Sequence, residues 1–118
     1  MQERIADNTP WFDARTTTCG TTRIVAVGGE LDLAVAPWFE AAVAGALAHE
    51  PRTVVVDLSA VDFMDSSGVH VLLSVHRRAA AQSMRLVVVP GPAPVQRLLS
   101  VCGVDSVLAF SSAESAPC

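Results

Sequence analysis

Thr53-Val54-Val55-Val56-Asp57-Leu58-Ser59-Ala60-Val61-Asp62-Phe63-Met64-Asp65-Ser66-Ser67-Gly68-Val69 is the stretch whose pattern decides the fold. Its first six residues are a near-continuous apolar, β-branched run, the pattern of a central strand covered on both faces. Asp62-Phe63-Met64-Asp65 reads as a short loop, and Asp65 or Ser66 opens a helix. Along that helix Val69, Leu72, Leu73, His76 and Ala80 share one face, with Arg77, Arg78 and Gln82 largely elsewhere. A buried strand thus hands over directly to an amphipathic helix.

The same alternation continues downstream. Arg85-Leu86-Val87-Val88-Val89 is a second buried strand, stopped by Pro90-Gly91-Pro92. Pro94 opens a helix carrying Val95, Leu98 and Leu99, and Gly103 suits its end. Val107-Leu108-Ala109-Phe110 is the last strand. Upstream, residues 10–18 suit an edge strand, with Pro10 at its start and Trp11, Phe12 and three threonines along it. Cys19-Gly20-Thr21-Thr22 is a turn. Arg23-Ile24-Val25-Ala26-Val27 is a strand broken by Gly28-Gly29. The connection between these two strands is too short for a crossover, so they pair antiparallel. Glu30-Leu31-Asp32-Leu33 leads into a helix with Pro37 in its first turn and Phe39, Val43, Ala46 and Leu47 at helical spacing.

The order is therefore β-β-α-β-α-β-α-β. It predicts an α/β fold: an open mixed sheet, mostly parallel with an antiparallel edge strand, and helices packed on the sheet. The whole chain, 1–118, reads as one domain, with 1–9 a flexible arm and 112–118 a short C-terminal turn.

Composition narrows the function. Half of the 118 residues are hydrophobic, which suits a globular core, and the net charge is −4. No basic cluster exceeds Arg77-Arg78, so direct nucleic-acid binding is disfavoured. No apolar run approaches the roughly 20 residues of a membrane span, and the polar N-terminus does not resemble a signal peptide. A soluble cytoplasmic protein is expected. Cys19, Cys102 and Cys118 are far apart, show no CxxC spacing and are odd in number, which predicts free thiols. The scattered His49, His70 and His76 do not build a metal site with them. Neither a metal nor a cofactor is expected.

Function concentrates at the strand-to-helix passage. It places two hydroxyls and a glycine at the end of a central strand, where partners approach an open α/β sheet. A serine at a helix N-terminus sits beside unpaired N–H groups and the positive end of the dipole, a place that tolerates a phosphate. Asp, Ser and Gly are also ordinary capping and turn residues, and Asp65 or Ser66 can serve simply as a cap.

Residues 56–68, Val-Asp-Leu-Ser-Ala-Val-Asp-Phe-Met-Asp-Ser-Ser-Gly, closely resemble the phosphorylation-site motif of bacterial anti-sigma factor antagonists of the STAS-domain family. Val27-Gly28-Gly29-Glu30-Leu31-Asp32 is similar to that family's G-E-L-D turn before its first helix. The resemblance runs from about residue 20 to residue 110 and includes the element order. It implies that Ser66, directly after the motif aspartate, is the phosphorylation site. It further matches Ser67 to the neighbouring hydroxyl and Asp32 to the acidic residue near the phosphosite, and with Asp65, Ser66, Gly68, Val69 and His70 around them these form the expected partner-binding surface. The unmodified protein would bind an anti-sigma factor serine kinase of the GHKL type and so release a sigma factor. ATP-dependent phosphorylation would end that binding, and a phosphatase would reverse it. Two features depart from the family. Val69-His70 stands where a small, apolar pair often follows the motif glycine. Residues 112–118 form at most a truncated turn where relatives carry a further helix.

Two other functions compete. One is a phosphorylation-independent STAS scaffold or a transport or lipid-handling module; the presence of Ser66 favours the switch. The other is a hydrolase with a G-x-S-x-G nucleophile elbow. Around Ser66 only the second glycine fits, since position 64 is Met, and His70 lies on the same short element as the serine. A non-enzyme is expected.

Overall fold

A computed structural model describes residues 11–111 in full and the backbone of residues 2–4. The elements are β1 (Gln2–Arg4), β2 (Phe12–Cys19), β3 (Thr22–Leu31), α1 (Ala36–Ala48), β4 (Thr53–Met64), α2 (Ser66–Ala81), β5 (Arg85–Val89), α3 (Ala93–Val101), a 3-10 turn at Val104–Ser106 and β6 (Ala109–Phe110). Strands lie side by side in sequence order. The β1–β2 and β2–β3 pairs are antiparallel, and β3 through β6 are parallel. This is the expected open mixed sheet with its antiparallel edge. It gains β1, which pairs Gln2 with Thr17 and Arg4 with Arg15 inside the stretch read as an arm. The rest of that arm and the turn expected at 112–118 lie outside the described residues.

Helices join neighbouring parallel strands taken in consecutive order, so right-handed crossovers carry α1, α2 and α3 onto one face. The core sits between that layer and the sheet. Val25, Val27, Val54, Val56, Leu58, Leu86 and Val88 face Phe39, Val43, Leu47, Val69, Leu72, Val75 and Leu99 within one cluster. Val55, Val87 and Val89 alternate onto the far face. They too are buried but stand outside that cluster. The helices therefore cover one face of the central strands and not both. A β-branched run signals burial, not what does the burying.

Three further readings change. The expected loop at 62–65 is strand as far as Met64. Between the pairs Ala26–Asp57 and Gly28–Ala60, β4 uses one more residue than β3. It does so again between Gly29–Val61 and Glu30–Phe63. These two bulges break the alternation that identifies a strand. Gly28-Gly29 does not end β3, which continues to Leu31. In α2 the buried line is Val69, Leu72, Val75 and Ala79, so His76 and Ala80 fall off the core face. The thiols also differ from expectation: Cys19 is disulfide-bonded, whereas Cys102 is free and exposed. Separation along the chain does not tell which parts the fold brings together.

Candidate functional site

The site is built by the last pair of the β3–β4 ladder, Leu31 with Met64. The two strands run parallel, so the residues that follow them, Asp32 and Asp65, emerge at the same sheet edge. One backbone bond fixes the relation: the Asp65 N–H donates to the Leu31 carbonyl at 3.2 Å.

Asp65 is the N-cap of α2. Its backbone is extended, and its carboxylate accepts from the Ser67 N–H at 2.8 Å. Its carbonyl accepts from the Gly68 N–H at 3.1 Å. Satisfying otherwise orphaned donors is what an N-cap does. The choice left open by the sequence, Asp65 or Ser66, thus falls on Asp65. Ser66 becomes the first helical residue and is exposed; Ser67 is half-buried.

Gly68 and Val69 are buried, whereas His70 is exposed. They are therefore not one accessible surface: Gly68 and Val69 seat the helix, and Ser66 and His70 face outward. The role of Gly68 is steric. A Cβ there would lie 2.7 Å from Met64 Cγ and 3.4 Å from Leu31 Cβ. Only glycine lets the first turn of α2 pack this closely on the ends of β3 and β4.

Asp32 shapes the other lip. Its Oδ1 accepts from the Val35 N–H at 3.3 Å, and its carbonyl accepts from the Ala36 N–H at 3.0 Å. The N-cap of α1 itself is Val35, which makes no side-chain cap bond. Asp32 therefore holds the turn that enters α1 and brings it beside Asp65 and Ser66.

Sequence reasoning missed the apolar flanks. Leu33 is 75% exposed and Phe63 50% exposed, one on each strand's exit from the sheet. Leu33, Ala36, Glu40, Ser67, His70, Val71, Ser74 and Arg77 line a groove of about 370 Å³ between α1 and α2. Phe63 lines a second of about 360 Å³ with Asp62, Met64 and Pro94, Val95, Arg97, Leu98 and Val101 around α3. An apolar residue directly after each acidic residue, Leu33 after Asp32 and Phe63 after Asp62, was the available signal. Among the described residues no group of three or more His, Cys, Asp or Glu could hold a metal ion. Among the same residues no helix is long and apolar enough to cross a membrane.

Comparison with known proteins identifies the family and the fold. The STAS domain model matches residues 13–116. The anti-sigma-F factor antagonist RsfB of Mycobacterium tuberculosis is 32% identical over 89 residues, which cover 75% of this chain and 72% of RsfB. An anti-sigma factor antagonist from Mycobacterium paratuberculosis superposes with a TM-score of 0.78 at 27% identity, over 86% of this chain and 87% of that one. The antagonist SpoIIAA in its unphosphorylated form shares the fold, with a TM-score of 0.71 at 24% identity over 89% and 91% of the two chains. Its phosphorylated form superposes at 0.67 and 21% identity, over 87% and 95%. The chain belongs to the STAS domain family, among its anti-sigma factor antagonists.

Proposed function

We propose that this antagonist is a switch operated at Ser66. Unmodified, it binds an anti-sigma factor serine kinase of the GHKL type and frees a sigma factor. Phosphorylation of Ser66 ends the binding, and a phosphatase restores it. The chain itself is not an enzyme and needs no cofactor, because ATP and the transfer machinery belong to the kinase. It acts in the cytoplasm, off nucleic acid and membranes.

One observation carries this reading: Ser66 is the exposed first residue of α2, directly after a cap that already serves its neighbours. Its hydroxyl makes no hydrogen bond among the described residues. Ser67, by contrast, donates its N–H to Asp65 and sits half-buried in the α1–α2 groove. A kinase thus meets the Ser66 hydroxyl first. The docking surface is Asp32, Asp65, Ser66, Ser67 and His70, with the buried Gly68 and Val69 supporting it from below.

Phosphorylation works by spoiling the interface, not by refolding the domain. The added charge of about −1.5 to −2 meets the favourable end of the α2 dipole. For the partner the same charge joins Asp32, Asp62 and Asp65 at the sheet edge, and a badly paired interfacial charge costs several kcal/mol. SpoIIAA, solved in both forms, keeps a fold that superposes on this chain in each.

The test is incubation with the cognate kinase and ATP, followed by mass spectrometry and a binding titration. The expected result is one phosphate, on Ser66, and loss of kinase binding. Stoichiometric modification of Ser67 with Ser66 bare would overturn the assignment, as would tight kinase binding by the phosphorylated form.

A further inference from the structure

We propose that His70 binds the phosphate of phosphorylated Ser66 within the same chain, giving the modified form a proton-sensitive ion pair on the first turns of α2. The inference rests on Ser66 being the phosphate acceptor.

Ser66 and His70 are both exposed and both on α2. Residues four apart on a helix are surface neighbours, with Cβ atoms about 5–6 Å apart. Helical side chains lean toward the N-terminus, so the imidazole reaches back toward Ser66 and not away from it.

The charged groups around His70 leave it for this role. In the groove it lines, the charged members are Glu40 from α1 and Arg77 from α2. Glu40 is engaged farther along: the Ser74 hydroxyl donates to it at 3.4 Å, and Arg78 approaches it to 3.8 Å. Arg77 and Arg78 stand about three turns beyond Ser66, out of reach of a phosphate there. Asp62 and Arg97 line the separate groove around α3, and beside the first turn of α2 stand the acidic Asp65 and Asp32, each with an oxygen held by a backbone N–H. Both repel a phosphate. His70 is the side chain on the opening turns of α2 that can offset them.

The chemistry suits a tunable pair. Phosphoserine loses its second proton near pH 6, and an unperturbed histidine titrates near 6.5. A dianion favours the imidazolium beside it, and the imidazolium favours the dianion. The two therefore titrate as a coupled unit.

The experiment uses the full chain with phosphoserine installed at position 66 during synthesis, which bypasses the kinase. Histidine titrations followed by NMR should show the His70 midpoint rising by about half a unit or more on phosphorylation, with His49 and His76 unmoved. The ³¹P midpoint of the phosphate should rise by a similar amount in His70→Gln, since the coupling is reciprocal. A His70 midpoint indifferent to the phosphate, or a ³¹P midpoint unchanged in His70→Gln, would overturn the proposal. Failure of the switch would appear elsewhere, as a kinase that leaves Ser66 unmodified.

Discussion

The N–H of Asp65 donates to the carbonyl of Leu31 at 3.2 Å, so the cap of α2 is bolted to the end of β3. Both lips of the site hang on that bond. The Asp65 side chain adds a second role by accepting from Ser67. Asp65→Ala should cost about 1 kcal/mol of stability. Asp65→Asn should stay near wild type, because asparagine caps equally well. Urea denaturation of the two variants checks this; equal losses would show that the charge and not the acceptor is what stabilises.

Asp32 separates in the same way. Its carboxylate holds the Val35 N–H, which Asp32→Asn retains and Asp32→Ala loses. If the acidic lip takes part in docking, both variants should weaken kinase binding while only the alanine variant loses stability, by up to about 1 kcal/mol. Binding titrations beside melting curves give the answer. Wild-type affinity in Asp32→Asn would confine the residue to shaping the turn.

Gly68 makes a prediction whose sign is informative. Replacing a helical glycine by alanine ordinarily stabilises by up to about 1 kcal/mol. Here the new Cβ would lie 2.7 Å from Met64 Cγ, and overpacking costs about 1–3 kcal/mol. Gly68→Ala should therefore be destabilising. The penalty should shrink in a Met64→Ala background, a coupling that a double-mutant cycle measures.

Two glycines with positive φ should behave differently. Gly29 has φ +88°, and a Cβ on it would meet the Trp11 carbonyl oxygen at 1.8 Å. That carbonyl already accepts from the Glu30 N–H, so it is not free to move away. Gly29→Ala should cost more than about 3 kcal/mol or prevent folding. Gly20 has φ +63° with nothing within 4 Å of the added carbon. Gly20→Ala should cost only the left-handed penalty, about 1–2 kcal/mol. Similar losses in both would remove the contact with Trp11 as the cause.

Ser66 variants test the switch without ATP. Ser66→Ala should stay bound to the kinase at any ATP level, and Ser66→Glu should bind weakly. Melting temperatures should stay within a few degrees of wild type, because exposed substitutions are usually small in effect. A Ser66→Glu chain that binds as tightly as wild type would argue against control by charge at this position.

Much of this was legible in the sequence because burial has a period. Phe39, Val43, Ala46 and Leu47 stand at helical spacing, and all four are buried in α1. The same rule drifted in α2, where steps of three and four residues both fit a 3.6-residue turn. From Leu72 the pattern allows Val75 or His76, and the fold takes Val75. The motif around Ser66 stood out, but its geometry did not. Asp65 and Ser66 are equally good caps on paper, and the cap was decided by a backbone bond from another strand. The end of β4 was invisible for a different reason: past Leu58 the buried residues are Val61 and Met64, a spacing of three that belongs to no regular strand.

That spacing has a consequence for how the chain can change length. Each bulge in β4 shifts the inward side by one residue, much as a frameshift displaces a reading frame. The first moves the buried phase from even numbers, Val56 and Leu58, to odd, Val61; the second returns it to even at Met64. The two slips cancel before the chain reaches Asp65. Losing one residue between Leu58 and Met64 would leave a slip uncorrected and turn Asp65, Ser66 and Ser67 onto the wrong side of the sheet edge. Losing two, one from each bulge, would keep them in phase. Insertions and deletions in this segment should therefore be tolerated in pairs and not singly.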